Sequence, residues 1–392
     1  MTDLGTRTEP ALRRAAPALL GYAAVRALGL ITLALWSAAR DKSAYTLLTA
    51  RWDALWYTRV AELGYGYEVR LPNGDVHSNL AFFPLLPWLE RLVSVVTPLS
   101  YADAGFVVSL LASLFAAWGV FAVTEHVYGR RAGVCAVLLW AVLPVGIVQS
   151  MAYSESLFTA LAAWSLYALL TGRWLTAGLL ASLAGLTRPV GLAVVAAVWA
   201  AGIAAFLRDR RDRAASGSER VAPAGATTAA QAAGMALAPL GAAAYVLWVG
   251  HRTGGGPLGY LDVQAGWRNG FDGGYAFARF VGDKFTSFPS ALAGVGLIVG
   301  VGLVVWLYVT CVRQGQPLPL LVYAGVVTAL ALCASSYFGS KPRLLLPAFP
   351  LLLPLARVLA RARTRRSAGI VAVIAAASAL YGAFWLNGSG PP

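Results

Sequence analysis

The sequence predicts an all-α polytopic membrane protein with a bundle of about eleven transmembrane helices, and three observations carry that prediction. Of its 392 residues, 58% are hydrophobic and only 12% are charged, against about 25% charged in an ordinary soluble domain. Apolar runs close to bilayer length recur near 17–38, 104–127, 132–149, 154–171, 174–187, 189–207, 232–250, 290–312, 317–335, 343–360 and 368–386. Basic residues, finally, are denser in every second connection between those runs.

The first run, Pro17 to Ala38, exceeds the roughly 7–15 residues of a cleavable signal's apolar region and reads as a retained span behind a cytoplasmic segment, 1–16. Residues 39–103 then form a large first extracytoplasmic loop. Within it, HSNLAFFPLLPWLERL from His77 has apolar residues at helical spacing and prolines that argue against a full crossing, so it predicts a helix lying at the interface. The run from 174 to 207 is interrupted by Thr187-Arg188-Pro189. Proline disfavours helix at the residue before it, which predicts two short helices with Arg188 at an outer turn; the alternative is a single kinked helix, which would invert every later loop. Residues 208–231, charged and then rich in Ala, Gly and Thr, predict a flexible cytoplasmic linker between membrane halves 17–207 and 232–392. The second half includes an extracytoplasmic loop, 251–289, rich in glycine and aromatics. It reads equally as a cover for a site or as a surface loop.

With the N-terminus inside, seventeen arginines fall in inner segments and thirteen Lys or Arg in the much longer outer ones, which is the asymmetry that orients membrane proteins. The net charge of +14 is therefore read as topology signals and contacts with membrane lipids, not as a nucleic-acid surface. Cys135, Cys311 and Cys333 lie in apolar runs without ligand spacing, which points away from a disulfide framework or a zinc site. Asn387-Gly388-Ser389 matches a glycosylation sequon and is read as chance.

The first loop opens with RWDALWYTRVAELGYGYE from Arg51. A carboxylate at Asp53, about fifteen residues past the first span at the water–lipid boundary, can serve as a general base. Taken alone, Arg51, Trp52 and Asp53 fit an interfacial anchor better. Other ionisable residues reach the same side in this topology: Glu155 at the start of the fourth span, Arg188 at the outer turn, and Lys341 and Arg343 at the start of the tenth. Each has a structural reading of its own; Glu155, for example, complements a helix N-terminus behind an N-capping Ser154. Charges at membrane depth are costly, and together they suit an anionic ligand held by cations beside a carboxylate. A lipid phosphate is the anion a membrane supplies. His77 and Asn79 are further candidates for phosphate, hydroxyl or metal. Trp52, Trp56, Tyr57, Phe82 and Phe83 are candidates to line a sugar or prenyl groove, with interface packing as the alternative.

RWDALWYTRVAELGY, SNLAFFPLLP, YSESLF, GLTRPVGLA and KPRLLLPAFPLLLPLA, in that order between about residues 50 and 355, resemble the PIG-V-type mannosyltransferases. That resemblance implies a GT-C glycosyltransferase fold and a polyprenyl-phosphate mannose donor. It also implies an essential acid in the first extracytoplasmic loop, where Asp53 is the matching position. It implies an inverting displacement in which Asp53 takes the acceptor's proton while Arg188, Lys341 or Arg343 meets the leaving phosphate, with Arg51, His77, Asn79 and Glu155 nearby. The Ala-, Gly-, Leu- and Arg-rich composition looks like that of a high-GC bacterium, so the expected location is the plasma membrane. The acceptor, whether lipid, glycan or protein, stays open. No DxD pair is present to hold a nucleotide sugar's divalent ion, and metal dependence is left open. Two other readings stand beside this one: a transporter or lipid flippase with Glu155 and Arg188 along its path, and a non-catalytic scaffold.

Overall fold

The computed structural model describes residues 10–216, 225–335, 337–388 and 390. Arg7, the middle of the 208–231 segment and Ser389 of the sequon lie outside the described residues. Each of the eleven apolar runs is helical, yet only six described helices are long and apolar enough to cross a membrane by themselves: Ala11–Ala38, Tyr101–Tyr128, Pro189–Asp212, Thr228–Thr253, Ser290–Arg313 and Thr364–Leu386. A further apolar pair, Phe338–Leu344 and Phe349–Arg361, meets at 74° and has the geometry of either a broken crossing or a re-entrant loop. The other runs give shorter helices, Arg130–Ala141, Ser154–Leu170, Trp174–Gly185 and Leu318–Cys333. At 1.5 Å per residue, a 12-residue helix such as Trp174–Gly185 spans about 18 Å of a core about 30 Å thick. Hydropathy located the runs, while glycine and proline inside them set the helix lengths.

The break at Arg188-Pro189 does separate two helices, Trp174–Gly185 and Leu192–Ser216. They fold back on one another so closely that a side chain on Gly191 would strike the backbone of Gly185. The described ends of the 208–231 segment are helical and not loop: one prolongs Leu192–Ser216, the other begins Gly225–Leu237. Helices from before and after that segment share one interior. Thr364–Leu386 packs along Ala11–Ala38, Leu318–Cys333 along Leu192–Ser216, and Gly225–Leu237 along Trp174–Gly185. Small residues permit these approaches. At Gly241 a Cβ would lie 1.9 Å from the Ser182 carbonyl oxygen, so only glycine fits there. Among the largest fully buried side chains, Tyr22 and Trp140 stack at 5.5 Å, and Trp140 donates its indole N–H to the Leu346 carbonyl at 3.0 Å.

The first long loop is ordered by short elements, beginning with helix Ala44–Thr49. Helix Asp53–Leu63 carries the opening motif, strands Glu68–Arg70 and Val76–Ser78 pair antiparallel, and the stretch expected to be helical from His77 is strand and 3₁₀ turn before helix Leu85–Val96 begins. That last helix buries Leu86 and Glu90 while leaving Trp88, Leu92, Val95 and Val96 exposed. The second loop is tied to the first at one edge, where Trp267 donates to the Ser78 carbonyl at 3.0 Å and Arg268 pairs with Asp75 at 2.5 Å. At its other edge, Gly270–Phe271 pairs with Ala334–Ser335. Loop 251–289 therefore covers the first loop and leads directly toward Lys341 and Arg343.

Candidate active site

Asp53 is the first residue of its helix, and Trp52 before it has φ 51°, a left-handed backbone conformation that an aromatic residue rarely adopts. Such a residue stores about 1–3 kcal/mol of strain, held by its surroundings. Arg51 lies over the Trp52 ring at 4.1 Å and has no ion pair among the described residues. The Asp53 carboxylate is a quarter exposed. Its Oδ2 meets Arg343 Nη1 at 2.8 Å, and Arg343 is itself 9% exposed.

Behind this pair the charges continue inward. Arg343 Nε is 3.3 Å from Glu155 Oε1, and the same oxygen is ion-paired with Arg188; only 1% of the Glu155 side chain is exposed. Two carboxylates and two guanidiniums thus alternate as Asp53, Arg343, Glu155, Arg188. Burying one such ion alone would cost several kcal/mol, and alternation offsets that cost. Tyr153 lies under the Arg343 guanidinium at 5.1 Å. Ser154 starts its helix, but its hydroxyl does not cap it: it sits 2.7 Å from the Tyr57 hydroxyl and accepts from Arg188 at 3.2 Å.

Several candidates take other positions. Lys341 does not join the cluster. Its ammonium donates to the carbonyls of Ala331 and Ala334, both at 2.8 Å, at the end of helix Leu318–Cys333, and faces the rings of Phe277 and Phe338. A cation on the orphan carbonyls of a helix C-terminus is the arrangement the helix dipole favours. Asn79 is fully buried and spends its amide on the loop backbone, accepting from Gly66 N–H and donating to the Gly64 carbonyl, both at 3.0 Å. It shapes the loop and is not available to a ligand. His77 stacks on Trp267 at 4.0 Å, and burial lowers its pKa, opposed by Asp75.

The aromatics divide in the same way. Trp52 and Trp56 stay half-exposed, whereas Tyr57, Phe82 and Phe83 are packed in the interior. Trp56 stacks on Phe82 at 5.6 Å and meets Trp267 edge-on at 4.9 Å, while Phe83 packs against Tyr245 in a separate cluster. Sequence reading singled out neither Tyr153, in the short connection between the runs 132–149 and 154–171, nor Trp267, in a loop with no periodicity. Among the described residues, no three His, Cys, Asp or Glu side chains gather as a metal site would require.

A family model described as Mannosyltransferase (PIG-V) matches residues 33–212. The PIG-V resemblance holds. The PIG-V-type segment contains Asp53, Glu155 and Arg188, while Arg343 comes from beyond it; the resemblance read over about 50–355 is therefore matched over its N-terminal part. GPI alpha-1,6-mannosyltransferase 2 of Rattus norvegicus is 35% identical over 158 residues, 37% of this chain and 30% of the rat protein. Its counterpart in Mus musculus is 35% identical over 155 residues, 36% of this chain and 29% of the mouse protein. The matches thus span less than a third of either mammalian protein. Among solved structures, ArnT from Cupriavidus metallidurans bound to undecaprenyl phosphate has a TM-score of 0.50 and 14% identity, covering 92% of this chain and 62% of ArnT. The fold is accordingly that of an all-α polytopic membrane protein similar to ArnT.

Proposed function

We propose that this chain is a membrane mannosyltransferase that moves a mannosyl group from a polyprenyl-phosphate donor to an acceptor hydroxyl, on the extracytoplasmic side of the plasma membrane. The observation that carries the reading is the partly exposed Asp53 carboxylate, fixed by Arg343 at 2.8 Å in front of the buried Glu155–Arg188 pair, within a PIG-V-type segment. The acceptor oxygen attacks the anomeric carbon as its proton passes to Asp53, whose Oδ1 takes no part in the ion pairs. The bond from carbon to the phosphate oxygen breaks, and inversion follows from attack opposite the leaving group. Phosphate leaves with its charge met by Arg51 and Arg343. Trp52 and Trp56 face the substrates.

An apolar groove supports a lipid donor. A groove of about 290 Å³ lies between helix Ser290–Arg313 and the bent pair Phe338–Leu344 and Phe349–Arg361, lined by Leu303, Leu307, Pro342, Leu345, Phe349 and Leu352 among others. Pro342 immediately precedes Arg343, so a prenyl chain in the groove would present its phosphate at the charged cluster. The charges sit at helix starts and turns, at residues 53, 155, 188 and 343, which supports surface chemistry over a translocation path through the bilayer. In this reading 208–231 is the cytoplasmic linker, and 39–103 with 251–289 are the catalytic loops.

The test is Asp53→Asn in membranes supplied with radiolabelled polyprenyl-phosphate mannose. Loss of a general base predicts transfer lowered about 10²–10⁴-fold with the protein still folded. Transfer at the wild-type rate would overturn the assignment.

A further inference from the structure

A second buried arginine lies away from this cluster. Arg26, in the first long helix, is 7% exposed inside an apolar bundle and has no carboxylate partner among the described residues. Its two terminal nitrogens donate instead to the carbonyls of Ala141 and Gly146. Those carbonyls flank a break in the third apolar run, where helix Arg130–Ala141 stops and a 3₁₀ turn, Gly146–Ser150, begins. Gly146 is required there, because a Cβ would lie 2.7 Å from the Ala141 oxygen and 2.9 Å from Arg26 Nη2.

Non-helical backbone at membrane depth persists only where its polar groups are satisfied by protein. The break and residues 142–153 meet that condition through side chains from other helices, a side chain of the segment itself and one backbone contact. Ser378 donates to Leu143 O at 2.7 Å, Gln149 to Trp140 O at 2.8 Å, and Ser109 to Tyr153 O at 3.1 Å, while the Ala152 N–H donates to Leu48 O at 3.0 Å. Arg26 is the charged member of this set and holds both sides of the break. The segment it holds ends in Tyr153, Ser154 and Glu155, the residues that contact Arg343, Tyr57 and Arg188.

We infer that Arg26 is a positioning residue of the transferase: by pinning the Ala141–Gly146 break, it sets where Glu155 meets Arg343 and therefore how Arg343 presents Asp53. This inference rests on the function proposed above. The residue touches neither substrate nor reacting atoms.

Two measurements on the full chain test it. In a background with Cys135, Cys311 and Cys333 changed to Ala, a cysteine is placed by Ala152→Cys or, as a control, by Ala181→Cys; both native alanines are buried. Arg26→Gln is expected to raise maleimide labelling at 152 about tenfold through local opening while 181 stays protected. Equal rises at both positions, or no rise at 152, would show that Arg26 does not act on this segment. The second measurement compares kcat for Arg26→Gln, Glu155→Gln and the double variant. If Arg26 acts through Glu155, its substitution lowers kcat in the wild-type background and adds no further loss beside Glu155→Gln. Unchanged kcat in the single variant, or losses that multiply independently, would overturn the inference. If the wild-type chain transfers no mannose from the polyprenyl donor, the proposed function fails while the labelling result still decides the role of Arg26.

Discussion

Arg343 joins two carboxylates from different parts of the chain: its Nη1 lies 2.8 Å from Asp53 Oδ2 and its Nε 3.3 Å from Glu155 Oε1. A planar guanidinium reaches both, whereas an ammonium is a point charge that cannot hold the same two directions. Arg343→Lys is therefore expected to keep the charge and lose the geometry. A displacement of about 1 Å at a reacting group costs about 10²-fold in rate, so the proposed mannosyl transfer should fall by that order with the protein still folded. Transfer by Arg343→Lys within a few-fold of wild type would show that charge alone suffices.

Lys341 predicts the opposite pattern. Its ammonium satisfies carbonyls at the end of helix Leu318–Cys333, away from Asp53. Lys341→Met should lower stability by about 1–3 kcal/mol, the cost of buried polar groups left unpaired, without changing kcat of the folded protein. Thermal unfolding in detergent and transfer assays on the same preparation measure the two effects separately.

Glu90 is a buried carboxyl whose two oxygens have no hydrogen-bond partner, packed against Gly105. Burial raises its pKa well above the ordinary value of 4.5. A folded-state pKa above the unfolded value gives stability that is full below about pH 4.5 and declines as pH rises toward the folded value. Glu90→Met removes that decline, so it should raise the melting temperature at neutral pH and flatten its fall between acid and neutral pH. A variant with the same slope as wild type would contradict this account.

His77 and Trp267 couple the two long loops through a stack at 4.0 Å. Burial lowers the His77 pKa, so the neutral ring is the form the fold prefers. The stabilisation is present above the unfolded value of about 6.5 and is lost as pH falls through the folded value. Limited proteolysis within 251–289 should accelerate below about pH 6.5, and His77→Phe should abolish that acceleration. Trp267→Ala should make the loop susceptible at every pH, because the Ser78 hydrogen bond is lost with the stack.

Much of the fold was legible in the sequence because hydropathy is local. Eleven apolar runs gave eleven helical regions, and Pro189 marked a real break. Helix length was less legible, since Gly146 and the prolines of KPRLLLPAFP shorten or bend helices only where packed neighbours take up the freed carbonyls. Within the site, Asp53, Glu155, Arg188 and Arg343 stood out as costly charges in apolar surroundings. Lys341 stood out equally and proved to serve a helix end: two residues from Arg343, it leaves the short helix in another direction, and composition carries no such directional information. Asn79 looked like a ligand residue for the same reason, and its burial under the Gly64 and Gly66 backbone assigned it to the loop.

The sequence by itself determined that this is a multi-span membrane protein with rare charged residues beside its spans and a PIG-V-type pattern around Asp53. Tertiary structure alone decided which of those charges meet. Arg343 pairs with Asp53 and Glu155, each more than a hundred positions away, through helix ends brought together by packing, and the Arg26 contacts to a broken helix help fix those ends. Charge and hydropathy are properties of each residue, whereas the 2.8 Å between Arg343 and Asp53 is a property of how the helices pack.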